Sequence, residues 1–198
     1  MSKGLEPRLK FPDVVLPDEN GVRHRLSTLQ GDDCMVLMLG RGEHCPRERA
    51  HQREMVKFHE YSDLAFTRQV TIVPNDLHDT YKLRISSGAH WPFLADEELV
   101  LREMLEIDEY TDEHHPNAVV PHTILLAPGL VIDKVYVGYW FWGRPSIYRL
   151  WDDLADLHRR IKADWDPTTA EARNEWRGAR RVSASASARQ TTAFTRKR

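Results

Sequence analysis

Cys45 stands where an apolar run ends and a charged one begins, in the stretch LMLGRGEHCPRER. A residue at a strand end, directly before a helix that opens on proline, lies near the helix N-cap, where unpaired backbone N–H groups and the helix dipole favour an anion. A thiolate is such an anion. Arg41, His44, Arg47 and Arg49 lie within four residues of it, and nearby cations favour the thiolate form of a cysteine. Glu43 and Glu48 offset part of that field, so the sign of the effect is set but not its size. The chemistry on offer is that of a sulfur nucleophile, which requires a sulfur that solvent reaches. The bland alternative is a cap-region cysteine beside a solvated arginine face. The second cysteine, Cys34, lies inside CMVLML and reads as a small buried hydrophobe.

The elements that must position Cys45 are legible as periodicities. Residues 12–17 and 22–26 flank Asp18-Glu19-Asn20-Gly21, a tight-turn sequence, and predict an antiparallel hairpin. Cys34 to Leu39 predicts a central strand covered on both faces. Pro46 opens a helix with Met55 and Phe58 on its apolar face, up to about Tyr61. Val70, Ile72 and Pro74 outline a second strand, followed by a helix from Asp76 to Arg84 that stops near Gly88. A short strand over 91–95 and a helix over 97–107 come next, then a loop, EYTDEHHPN. His122 to Ala127 and Val131 to Val137 predict two strands about Pro128-Gly129, close enough to pair antiparallel. From Ser146, Ile147, Leu150, Leu154, Leu157 and Ile161 repeat at spacings of three and four, the pattern of an amphipathic helix.

With 198 residues, 41% apolar and 29% charged, the chain supports one well-buried core. The net charge of -2 is uneven: from Pro167 onward eight Lys/Arg face two Glu, a surplus of six positive charges that leaves eight negative on the rest. Residues 1–166 read as one domain and 167–198 as a basic, disordered tail. Such a tail more often solubilises than binds nucleic acid, and it lacks the interleaved aromatics that stack on bases. No apolar run reaches the roughly 18 residues of a membrane helix, and the start MSKGLEPRLKFPD lacks a secretory signal pattern. A soluble, cytoplasmic protein is expected.

The order FPDVVLPDENGVRHRLSTLQGDDCMVLMLGRGEHCP resembles the opening of the redoxin branch of the thioredoxin superfamily, the alkyl hydroperoxide reductase and thiol-specific antioxidant group. Arg41-Gly42 before Cys45-Pro46 is particularly similar. WPFLADEE and VPHTILLAPGLVIDKVYVG resemble later segments of the same group, so the likeness covers about residues 11–163. It implies an α/β, thioredoxin-like fold: a central mixed sheet flanked by helices, with an N-terminal hairpin. It also implies that Cys45 is a peroxidatic cysteine that attacks a hydroperoxide as thiolate and becomes a sulfenic acid. Val120-Pro121 would match the superfamily's cis-proline opposite the cysteine. Three positions depart from the family pattern. Gly42 replaces the Thr or Ser three residues before the cysteine, Met38 replaces a Pro seven before it, and His122 stands where an arginine opens the next-to-last strand. Histidine donates a hydrogen bond but lacks arginine's permanent charge and forked donors, so Arg41 or Arg144 would have to take over.

The expected function is that of a one-cysteine, peroxiredoxin-like thiol oxidoreductase with Cys45 as nucleophile. Arg41, His44 and Arg47 tune it, and His122 faces it with Pro121. Glu48 occupies the position of a second cysteine in a Cys-x-x-Cys pair, so dithiol exchange is disfavoured. Cys34 is a poor resolving cysteine, and an external thiol would serve as reductant. Pro121, Trp140, Trp142 and Arg144 are candidate substrate contacts. Three aromatics in a row, Trp140 to Trp142, cannot all face one way, and the same segment is the candidate for a homodimer contact. No cofactor or metal is required. His114-His115 is the best histidine cluster among the ten histidines, but adjacent residues seldom aim at one ion without further ligands, and a solvated loop fits better. Two alternatives remain open: a redoxin scaffold that has lost peroxidase chemistry and binds a partner, and a different thiol-dependent reaction on the same fold.

Overall fold

Strand β3 (Cys34–Leu39) lies at the middle of the sheet because all six of its side chains are apolar and all six are buried. The structure is a computed structural model that describes residues 3–107, 119–138, 143–162, 169–171 and 174. Residues Met1–Leu154 form one compact unit and Ala155–Arg198 a second. The sequence boundary at 166/167, the loop with His114 and His115, and Trp140 and Trp142 fall outside the described residues.

The order of elements is that expected of the fold. A hairpin of β1 (Val15–Pro17) and β2 (Arg23–Arg25) comes first, its turn closed by the Asp18 carboxylate, which accepts from the Asn20 and Val22 amides at 2.9 Å each. A short helix α1 (Leu26–Gln30) follows, starting on the last residue of the expected strand. The Asp13 carboxylate draws the chain into it by accepting from the Ser27 amide and hydroxyl (2.9 and 2.8 Å). After β3 come α2 (Pro46–Leu64), β4 (Thr67–Val73), α3 (Leu77–Ser87), β5 (Phe93–Ala95), α4 (Val100–Leu105), β6 (His122–Ala127), β7 (Val131–Val137) and α5 (Ile147–Ile161). Helix α3 is capped by Asp76 and ended by Gly88 at φ 75°, as residue types at those positions dictate. Helix α4 is shorter than expected. The Asp96 carboxylate binds the Val100 and Leu101 amides (2.9 and 3.0 Å), and the left-handed Leu99 precedes the first turn. Among the described residues no helix is long and apolar enough to cross a membrane.

The five-stranded sheet runs β5-β4-β3-β6-β7, with β3 parallel to β4 and antiparallel to β6. Isolated bridges from Lys10 to Val131 and from Asp18 to Leu94 tie the N-terminal segment to both edge strands. The two faces of this sheet differ. Met35, Leu37, Leu39, Val70, Ile72, Ile124 and Leu126 join one apolar cluster. Strand alternation puts Gln69, Thr71, Met38 and Thr123 on the other face, where helix α2 meets them: Gln69 donates to Ser62, Thr71 to Gln52, and Thr123 lies 3.5 Å from His51. Polar side chains thus lie beneath α2 while the opposite face is greasy. On the β7 side, Asp153 of α5 accepts from Lys134 Nζ at 2.6 Å, Arg149 Nε at 3.0 Å and the Tyr136 hydroxyl.

Candidate active site

Strand β3 delivers the chain to Gly40, and five residues later Cys45 is the N-cap of α2, in extended backbone (φ -87°, ψ 113°) with Pro46 as the first helical residue. The side chain that reaches the sulfur is Arg41: its Nη1 stands 3.8 Å from Sγ. Arg41 is itself 9% exposed and Cys45 4%. The sulfur is more deeply covered than the sequence reading requires of a nucleophile in open solvent. Its chain neighbours His44, Pro46 and Arg47 are exposed.

Glu48, three residues into the helix, is fully buried and organises this corner. Its Oε2 accepts from the Arg41 backbone N–H at 3.1 Å and from Arg144 Nη2 at 3.0 Å, and its Oε1 accepts from Gln52 Nε2 at 2.8 Å. Burial works to raise the Glu48 pKa. The Arg144 charge, the charge His51 carries when protonated, and the Gln52 and Arg144 hydrogen bonds together overcome it and hold the carboxyl below the usual range. His51 is held down at about 4, chiefly by burial, with Arg144 adding to the effect and Glu48 opposing it. It is therefore neutral at pH 7, and Arg144 is the cation that balances Glu48. A buried carboxylate with a fixed charge partner and three donors is a stable anion.

Two glycines make room for this arrangement. A Cβ on Gly40 would lie 2.8 Å from the Glu48 carboxyl, and one on Gly42, at φ 102°, would lie 2.5 Å from Asn75 Oδ1. That amide oxygen instead accepts the Glu43 N–H at 3.0 Å. The glycine that replaces the family's Thr or Ser is thus required by the local backbone, and Asn75 fills the space beside it. Arg49 closes the segment by donating to the Glu43 carbonyl and carboxylate (3.3 and 3.2 Å).

Arg41 is brought to Cys45, and Arg144 is joined to the same corner through Glu48. His44 and Arg47 lie on the exposed side, and Arg47 and Arg144 line an open cleft of about 490 Å³ with His51, Glu54 and Tyr148. His122 pairs with Leu39 and Val137, so alternation puts it on the face of Ile124 and Leu126. Its Nδ1 lies 2.7 Å from the Val120 carbonyl, and its pKa is lowered by burial. No peptide bond is cis among the described residues. This corrects the reading of Val120-Pro121 as a cis site: the resemblance marked the position, but trans is the lower-energy isomer of most X-Pro bonds. Met38, in place of the family's Pro, is buried between Thr71 and Thr123 in the row beneath α2. Among the described residues no group of three His, Cys, Asp or Glu is arranged to hold a metal ion.

Sequence reasoning missed Gln52, Asn75 and the anchoring role of Glu48. The signal was present, since Met55 and Phe58 set the inward face of α2 and a helical period then places 51, 52 and 48 on that face too.

No family model matches the chain, and no curated protein matches it. Solved structures do. Peroxidoxin BcpB from Mycobacterium tuberculosis matches with a TM-score of 0.67 at 18% identity, covering 80% of this chain and 99% of that one. A cysteine-to-serine mutant of peroxiredoxin 6 from Arenicola marina matches with 0.67 at 14%, covering 84% and 82%. The yeast mitochondrial 1-Cys peroxiredoxin matches with 0.67 at 13%, covering 83% and 84%. The chain therefore has the thioredoxin-like α/β fold of the peroxiredoxin structures, as the resemblance implied.

Proposed function

We propose that the protein is a one-cysteine thiol peroxidase in which Cys45 is the nucleophile and Arg41 the group that replaces the family's strand arginine. The observation that carries this reading is the Arg41 guanidinium 3.8 Å from Sγ at the N-cap of a 19-residue helix. Both the guanidinium and the helix terminus favour an anion there. In the reaction the Cys45 thiolate attacks the terminal oxygen of ROOH, the O–O bond breaks, and the sulfur is oxidised to S–OH while RO⁻ leaves and takes up a proton. Arg41 donates to the sulfur and to the oxygen that acquires charge. An external thiol then condenses with the sulfenic acid, releasing water and forming a mixed disulfide that a second thiol reduces.

Cys34 is not a resolving partner in this scheme. It opens β3 and is 1% exposed, and both cysteines are free and buried, so it would have to be unpacked from the core to reach Cys45. The yeast 1-Cys peroxiredoxin resolves its thiol through glutathione and thioredoxin systems, and a Xanthomonas campestris bacterioferritin comigratory protein of similar fold reduces alkyl peroxides. Both support a hydroperoxide substrate and an external thiol reductant here. The test is peroxide consumption by the reduced protein with a small thiol as reductant, using hydrogen peroxide and an alkyl hydroperoxide. Turnover that Cys45→Ser abolishes is expected, and turnover that survives Cys45→Ser contradicts the assignment.

The 4% exposure of Cys45 favours a second reading, in which the scaffold binds a partner and does not turn over peroxide. Under that reading Cys45→Ser retains full cellular function.

A further inference from the structure

We infer that Trp91, Thr71 and Gln52 form a one-directional hydrogen-bond wire that holds Glu48 as the buried anion of the Cys45 corner, which makes Trp91 a remote positioning residue for it. The wire begins in the segment before β5. Trp91 Nε1–H donates to Thr71 Oγ1 at 2.9 Å, Thr71 Oγ1–H to Gln52 Oε1 at 3.3 Å, and Gln52 Nε2–H to Glu48 Oε1 at 2.8 Å. All four are buried, at 2%, 0%, 0% and 1% exposure.

The direction follows from chemistry. The Glu48 carboxylate only accepts and the indole N–H only donates, so Gln52 gives its NH₂ to the carboxylate, and Thr71, accepting from the indole, spends its single hydrogen on the Gln52 oxygen. That fixes the Gln52 amide with its oxygen toward Thr71 and its NH₂ toward the carboxylate. Every hydrogen in the chain therefore points at Glu48, and aligned bonds in a dry interior polarise one another. Trp91 is a rigid starting point, stacked on Phe93 at 6.0 Å and tilted against His59 at 5.3 Å. At the far end, the Glu48 carboxylate holds the Arg41 backbone and the Arg144 guanidinium. Strand β4 and the segment before β5 thereby help to set the position of the guanidinium that meets the sulfur.

The effect on Cys45 rests on the peroxidase reading; the wire itself does not, and the test has an arm for each. The first follows the Trp91 indole N–H resonance in the ¹⁵N-labelled full chain, assigned by its loss in Trp91→Phe. Glu48→Gln is expected to move that resonance, because the anion that orients the chain is gone. A resonance unmoved by Glu48→Gln overturns the wire. The second arm follows iodoacetamide labelling of Cys45. Thr71→Val should slow labelling at pH 7 by about twofold to tenfold, the worth of one neutral buried hydrogen bond at most. It should leave labelling at pH 10 unchanged, and Thr71→Ser should restore the rate at pH 7. Equal rates for wild type, Thr71→Val and Thr71→Ser at pH 7 overturn the positioning role. Should Thr71→Val fail to fold, Trp91→Phe takes its place in this arm. A wild-type rate no faster than that of a small model thiol counts against the peroxidase reading, and the indole resonance then still decides the wire.

Discussion

Gly42 and Arg41 shape the Cys45 corner, and each makes a separate prediction. Gly42 is at φ 102°, with Asn75 Oδ1 2.5 Å from where a Cβ would sit. Gly42→Ala should therefore destabilise the protein by about 1–3 kcal/mol, read as a lower denaturant midpoint with unchanged slope. Gly42→Thr, which restores the family's hydroxyl on paper, should be no better, because the backbone admits no side chain there. Arg41→Ala should slow peroxide oxidation of Cys45 by at least about tenfold. Arg41→Lys should recover only part of the loss, since an ammonium is a point charge without the guanidinium's fork. Oxidation of Arg41→Ala at the wild-type rate would remove Arg41 from the mechanism. At this scale the sequence was readable where local rules apply, at Cys45, Pro46 and Arg41. The pairing of Glu48 with Arg144 was not readable, because Arg144 is 96 residues away in the chain and no local pattern joins them.

Helix α2 carries polar residues on its inward face. Glu48, His51, Gln52 and Ser62 are buried there with Met55 and Phe58, and the sheet answers with Gln69, Thr71 and Thr123. Neutral His51 makes stability depend on pH. Its pKa is about 4 in the folded protein against 6.5 for the ordinary side chain, so the unfolded chain takes up this proton first as pH falls. The stability His51 contributes is fully present above about pH 6.5 and is lost between 6.5 and 4, by up to about 3 kcal/mol. Glu48, with its pKa lowered, acts in the same direction further into acid, as its stabilisation is lost when pH falls through its folded value. Urea midpoints measured from pH 7 to 4.5 should fall, and His51→Gln should flatten that slope. An equal slope in the variant would show that His51 is not the titrating group. The elements themselves were largely legible. Strands β3, β6 and β7 lie at the expected residues, because runs such as CMVLML and HTILLA carry the pattern alone. Helix α1 carries little pattern of its own, and its first turn is held by Asp13, 14 residues upstream; α4 lies within the expected span but begins later, after the left-handed Leu99.

At the scale of the molecule, the thioredoxin-like fold was legible from the ordered series of strands, helices and motifs, and the match to peroxiredoxin structures at 18% identity or less shows how little sequence that fold needs. Access to the sulfur was not legible, because burial is set by tertiary packing around Cys45. A cysteine that is 4% exposed should discriminate by size, reacting with hydrogen peroxide and iodoacetamide in preference to bulky maleimides when each is compared with an unhindered thiol. The most direct test of the central claim is the rate at which Cys45 becomes a sulfenic acid with hydrogen peroxide at pH 7, trapped with a dimedone-type reagent and read by mass spectrometry beside Cys34 and a small model thiol. A Cys45 rate well above both is predicted, and a rate no higher than that of the model thiol would contradict the account.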